Sequence, residues 1–360
     1  MLLRSTALIA VFMLIASMSF GQSGADTLRA SGPTIYPLPI FFYTPETGAA
    51  GGAAALLLYR DHGSSRASSI TGDIIYTQKK QIIVEFSGDQ YFSRGVYRLQ
   101  TDLLGQQYPN KLFGIGNNTP SGSEEDYTPK SFQIKATLSA RIMPNVNVGP
   151  SLRYESVSMR EVDPTRLIAT RTLTGSTGGA SSGLGFVANW DSRDNTFAAY
   201  TGSFYQFTAL FYQKFLGGDF NYSDFQFDLR NFFEVTKGQV LAVQAGAELM
   251  GGDVPFNNLA RFGGQNLLRG YYDGRYRDKN GAALQAEYRV PVWWRFGVVG
   301  FAGIAQVADR VAQFGLNRFW FAAGAGVRFA WSPEERINIR LDYGIGSHSD
   351  GMYITVTEAF

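Results

Sequence analysis

The chain has 360 residues with 41 glycines and 14% aromatic side chains, but only 17% charged residues against ~25% in average proteins. The absence of cysteine excludes disulfide scaffolds, thiolate zinc sites, iron–sulfur clusters and a cysteine nucleophile, and two histidines leave little for metal or acid–base sites. A formal net charge of +2 carries no footprint for nucleic acid, whereas high glycine, many aromatics and low charge suit a large β-barrel with lipid on its outside.

The chain opens with a short basic start, Met1 to Arg4, and a ten-residue apolar core from Ala7 to Ala16. Small residues Ser19 and Gly21 then precede a cut before Gln22, so residues 1–21 read as a secretory signal peptide. No later stretch is long and apolar enough for a transmembrane helix. Residues 22–35 are expected to form a short periplasmic segment, and residues 36–360 a barrel. Tyr36–Tyr43 is an ambiguous first strand because of Pro37 and Pro39. From about Ala53 onward, fifteen alternating runs follow.

The alternation is explicit. Phe132, Ile134, Ala136, Leu138 and Ala140 interleave with Gln133, Lys135, Thr137, Ser139 and Arg141. Phe225, Phe227 and Leu229 interleave with Gln226, Asp228 and Arg230, and Leu284, Ala286 and Tyr288 with Gln285, Glu287 and Arg289. Each run is a strand with one apolar and one polar face. A soluble sandwich alternates too, but here the polar face carries both charge signs over ten or more residues. That length crosses a bilayer with the polar face toward a lumen.

Short turns at Met143–Asn145, Val235–Gly238, Val292–Arg295 and Ser332–Glu335 alternate with long loops at Gly105–Pro129, Met159–Gly178, Gly251–Gly281 and Asp309–Leu316. Barrels of this kind have even strand numbers, so the expected architecture is all-β: sixteen antiparallel transmembrane strands, both termini in the periplasm. Ile354, Val356 and Phe360 share one parity in the last strand, broken by Glu358, and resemble the C-terminal sorting signal of outer-membrane barrels.

FGGQNLLRGY (Phe262–Tyr271), followed by a strand bearing Glu287, resembles the sixth extracellular loop of the bacterial surface-antigen superfamily. These are the barrels of BamA, TamA and two-partner secretion transporters. GLGFVANWDSRDN (Gly183–Asn195), GAGVRFAW (Gly324–Trp331), INIRLDYGIG (Ile337–Gly346) and YITVTEAF (Tyr353–Phe360) follow the same family, so the resemblance covers essentially the whole chain after the leader. It implies that the loop folds into the lumen, with Gly263, Gly264, Arg269, Gly270 and Tyr271 as its motif and Glu287 as the partner of Arg269. The family's second carboxylate is missing where Gly303 follows Phe301, and Glu248 is a candidate to help. About fourteen residues between Gln22 and Tyr36 leave no room for a periplasmic POTRA domain.

The resemblance implies an outer-membrane location, with membrane lipids and the barrel assembly machinery as partners. Unfolded barrel clients or a separate periplasmic polypeptide are further ones. Two functions stay open: aiding insertion or translocation of proteins or lipids, or a passive pore or structural barrel without a client. Catalysis is not expected. His62 and His348 fall at opposite ends of a barrel ~25 Å tall, so they cannot share a site. The acidic run Glu124, Glu125 and Asp126 reads as a solvated loop, and neither a cofactor nor a metal is expected.

Overall fold

A computed structural model describes residues 33–59, 68–120 and 122–360. The leader peptide, residues 22–32 of segment 22–35, and His62 lie outside the described residues.

Sixteen strands make the wall. The first four are β1 (Thr34–Thr44), β2 (Gly48–Tyr59), β3 (Ser68–Thr77) and β4 (Ile82–Phe92). Then come β5 (Tyr97–Gln107), β6 (Glu125–Met143), β7 (Val146–Val162) and β8 (Gly178–Asp191). The next are β9 (Gly202–Tyr212), β10 (Tyr222–Thr236), β11 (Gln239–Gly252) and β12 (Asn280–Trp293). The last are β13 (Phe296–Ala308), β14 (Trp320–Ser332), β15 (Ile337–Gly346) and β16 (Ser349–Val356). Each pairs antiparallel with its chain neighbours, and β1 meets β16 to close the barrel. Three short pieces, Asn110–Leu112, Ala260–Phe262 and Tyr276–Asp278, belong to loops. The ambiguous first strand is regular and begins at Thr34, two residues before the expected start.

Register puts the polar parities of neighbouring strands in common rows. Asp102, Lys135 and Arg153 stand opposite one another across β5, β6 and β7, where unlike charges favour the pairing of the first two. Phe132, Leu138, Leu184 and Phe186 of the other parity stand exposed on the outer face, as a wall bathed in hydrocarbon requires.

The lumen is occupied at both ends. At the long-loop end, Leu112, Ile168, Leu210, Tyr222 and Phe256 form a buried cluster beneath the loops. The Gly116 N–H donates to Arg277 O at 2.8 Å and the Trp320 indole to Asn117 O at 2.9 Å, tying loops 108–124 and 253–279 to β14. At the short-turn end, connection 192–201 is long and reaches turn 333–336. Arg336 Nη1 meets Asp194 Oδ2 at 2.5 Å, and the guanidinium lies 4.1 Å from the Tyr200 ring centre. Beneath this strap Ala199 packs with Phe232, Val240, Ala242 and Phe360.

The acidic run divides among separate tasks. Glu124 and Asp126 face Lys111 at 3.1 and 3.9 Å, while buried Glu125 accepts the Ile168 N–H at 3.0 Å. The architecture is checked by cysteine labelling from outside intact cells. Glu124→Cys in loop 108–124 should react with a membrane-impermeant maleimide and Asn145→Cys in the turn after β6 should not; equal labelling would contradict a spanning barrel in the expected orientation.

Candidate functional site

Loop 253–279 leaves β11, forms the Ala260–Phe262/Tyr276–Asp278 ribbon and sends its tip down into the barrel. The chain reverses at Gly263 and Gly264, and Gly263 bridges to Leu267. At Gly270 φ is 116°, and a Cβ there would lie 2.9 Å from the backbone of Gly344 and Ile345. Gly344 is the matching half: its Cβ would meet Arg269 O at 2.5 Å. Main chain touches main chain only because both positions lack side chains.

That approach delivers Arg269, 1% exposed, between two strands. Its Nη2 bonds Glu287 of β12 and its Nη1 bonds Asp342 Oδ2 of β15 at 2.5 Å. The Phe301 ring of β13 stacks 3.6 Å from the guanidinium carbon. A second rank of arginines surrounds the acids. Arg289 Nε donates to Glu287 at 2.8 Å, Arg328 Nη1 to Asp342 at 2.5 Å and Arg340 Nη1 to Asp342 at 3.2 Å. Arg328 Nε reaches Glu358 at 2.7 Å. Four guanidinium groups thus share the carboxylates Glu287, Asp342 and Glu358. Charges this buried are tolerated only when paired and hydrogen-bonded.

Tyr271 completes the docking. Its hydroxyl donates to Phe321 O at 3.0 Å and accepts the Ser347 N–H at 2.7 Å, with the ring over Gly346. The Gly270 N–H donates to the Tyr353 hydroxyl of β16 at 3.1 Å. The next two residues turn to the other side of the barrel's closure. Tyr272 packs edge-on against Phe113, and the Asp273 N–H donates to Glu46 Oε1, in the turn between β1 and β2, at 2.8 Å. Burial, and after it the neighbouring Asp273 carboxylate, push the Glu46 carboxyl above its ordinary range.

Three readings from the sequence need correction. The second carboxylate is not missing: Asp342 supplies it from β15, three strands beyond β12. Glu248 does not help Arg269; it lies near Gln226 of β10, with Gln226 Nε2 3.5 Å from its Oε1. Phe360 does not share the outward face of Ile354. The backbone turns at Thr357, where φ is 66°, Glu358 is drawn to Arg328, and Phe360 is buried inside against Phe232 and Val240 with its carbonyl held by Arg289 at 3.1 Å. Ile354 faces outward from β16 and Val356 ends the strand, buried. The missed acid had a signal. Arg340 and Asp342 share the polar parity of Ile337–Gly346 with Gly344 and Gly346, so charge and space for a docked loop fall on one face.

A family profile described as the Omp85 superfamily domain matches residues 68–356. No curated protein matches the sequence. Among solved structures, BamA from Haemophilus ducreyi lacking POTRA domains 1-3 is similar, with TM-score 0.64 and 15% identity over 91% of this chain and 70% of that one. CdiB from Acinetobacter baumannii is similar with TM-score 0.59 and 12% identity, covering 91% of this chain and 60% of that one. CdiB from Escherichia coli has TM-score 0.55 and 12% identity, with 91% and 63% covered. The chain therefore spans less than two thirds of either CdiB chain.

Two outcomes follow from the geometry. Arg269→Ala and Asp342→Ala should each cost about 3–5 kcal/mol by stranding buried charge. Because the two side chains touch, the double variant should lose less than the sum. The temperature at which the SDS-resistant band unfolds measures this, and additive losses would show that they act independently. For Glu46, a raised carboxyl pKa means that its stabilising contribution is full below the ordinary glutamate range and is lost as pH rises through the raised value. Protection of the Asp273 amide from hydrogen exchange, corrected for intrinsic rate, should fall as pH rises. Glu46→Gln, which keeps an acceptor without the charge, should flatten that dependence.

Proposed function

Because this chain belongs to the Omp85 superfamily, we propose that it moves a cargo between its lumen and the outer membrane by opening sideways between β1 and β16. One observation carries the reading. The two closing strands share a single register pair, Tyr43↔Ile354, whereas β1 pairs with β2 along all of Thr34–Thr44 and β15 with β16 from Ile339↔Val356 to Gly346↔Ser349. A net ladder hydrogen bond contributes about 1 kcal/mol, so this seam is the place where the wall parts at least cost.

The contents of the lumen favour a sideways exit. A passive pore asks for an open channel, but loop 253–279 and strap 192–201 occupy the two ends. The tip of that loop holds both sides of the seam, through Tyr353 on one and Glu46 on the other. Closure is therefore coupled to the docking of Arg269, and the loop motif serves as the latch of the seam.

The chain has no cysteine of its own, so a disulfide across the seam is a clean test. Tyr43→Cys/Ile354→Cys joins directly opposed positions. In a depletion strain, the oxidised variant should fail to restore the outer membrane's normal protein and lipid content, and reduction should recover it. Full rescue by the oxidised form would rule out lateral opening. A depletion strain with no defect at all would favour the passive barrel.

A further inference from the structure

We infer that the cargo crossing this seam is a bilayer lipid, not a polypeptide strand. The inference rests on the lateral opening proposed above and names what passes through it.

A polypeptide entering a seam as a β-strand takes its affinity from main-chain hydrogen bonds along an exposed edge. The edge of β1 is poor in donors. A proline within a paired strand sits with its missing N–H facing away from the ladder. Pro37 and Pro39 share one parity in a strand paired with β2 throughout, so both missing donors fall on the seam side. Across from them β16 has ended at Val356, and the chain has turned inward at Thr357. Among the described residues, the stretch from Thr34 to Ile40 has no strand partner across the seam. It is an edge that opens to the bilayer yet cannot zip fully onto an incoming strand.

The side chains beside that edge are apolar on both faces. Ile35 and Phe41 face outward at 67% and 56% exposure. On the inner face Leu38 and Ile40 form a cluster with Ala50, Ala54 and Ile75, flanked by half-buried Phe42 and Leu56. The inner wall is polar at Gln133, Lys135 and Thr137 of β6 and at Asp224, Gln226 and Asp228 of β10, and other apolar stretches, at Val299 and Phe301 of β13 and at Phe232 and Val240 under the strap, lie away from the seam. Across the seam the inner faces of β15 and β16 are polar too, with Arg340 Nε donating to the Thr355 hydroxyl. An apolar wall thus meets a polar wall along a gap in the ladder. Acyl chains would lie against Leu38, Ile40 and Phe42 while a headgroup keeps to the polar side. A polypeptide strand would gain little from the same surface.

The test uses the full barrel in phospholipid vesicles containing a fluorescent phospholipid whose outer-leaflet copies are quenched by an impermeant reductant. Quenching beyond the outer leaflet should be faster with the protein than in protein-free vesicles. Oxidised Tyr43→Cys/Ile354→Cys, with the disulfide closed after reconstitution and the lock reversed by a mild thiol, should return to the protein-free rate. Phe42→Gln, a half-buried position, should slow exchange roughly fivefold while its heat-shifted gel band shows that the barrel is folded. A urea-unfolded outer-membrane barrel offered to the same vesicles should insert no faster than without the protein. If insertion is accelerated, sensitive to the lock and lipid exchange is not, the seam carries strands and the inference is overturned while lateral opening stands. If the lock changes neither process, lateral opening itself fails.

Discussion

The structure depends on one constraint: a guanidinium carried into the middle of a barrel must find carboxylates there. Removing charges from water costs several kcal/mol per ion, and only close, multiply bonded partners offset that cost. Arg269 meets it with Glu287 and Asp342, which lie on strands three apart in the wall, and with the face of Phe301. Arg289, Arg328 and Arg340 crowd the same acids, so the loop tip, β12, β14 and β15 are bound into one polar unit. Glu358 extends that unit into the chain's last residues and draws Phe360 inward.

This unit ties one side of the barrel together by ion pairs, whereas the closure of β16 on β1 rests on a single register pair. β12 through β16 are cross-linked by ion pairs and by the main-chain fit of Gly270 on Gly344. The inner faces of β1 and β2 meet through apolar side chains, Leu38, Ile40, Phe42, Ala50 and Ala54, and β1 is joined to β16 by a single register pair. The proposed opening places the parting where these two halves of different pairing meet. The loop tip spans that junction, so a change at Arg269 reaches the seam through Gly270 and Asp273 without any long pathway. At the Glu46 contact, burial and then the Asp273 carboxylate beside it push the Glu46 carboxyl above its ordinary range, so this hold is the one that depends on pH.

The ends of the lumen serve the same arrangement. Strap 192–201 is tied to turn 333–336 by Asp194 and Arg336, and its apolar underside rests on Phe360. At the far end, buried aromatics fill the space beneath the loops. In the function proposed above, a lumen stoppered this way empties through the wall at the seam, and the polarity of the wall there selects the cargo.

Period-two alternation, the spacing of turns and loops, and the low charge determined a sixteen-stranded membrane barrel from sequence alone. Each strand's two faces answer to solvent and lipid locally, and a residue's parity needs no knowledge of its neighbours. The motif around Arg269 and the inward parity of Glu287 were equally legible, since glycine spacing and strand parity are local properties. Asp342 was not. Which acid faces Arg269 is set by how far the loop tip travels around the lumen, and that depends on the fit of Gly270 against Gly344, a contact between residues seventy-four positions apart. Phe360 misled for a related reason. Its parity belongs to β16 only while β16 continues, and the pull of Arg328 on Glu358 ends the strand first. Whether β1 and β16 share one register pair or many is likewise decided by the closure of the whole sheet. Local pattern chose the strands, and long-range charge pairing and closure chose where the barrel is held and where its wall is least paired.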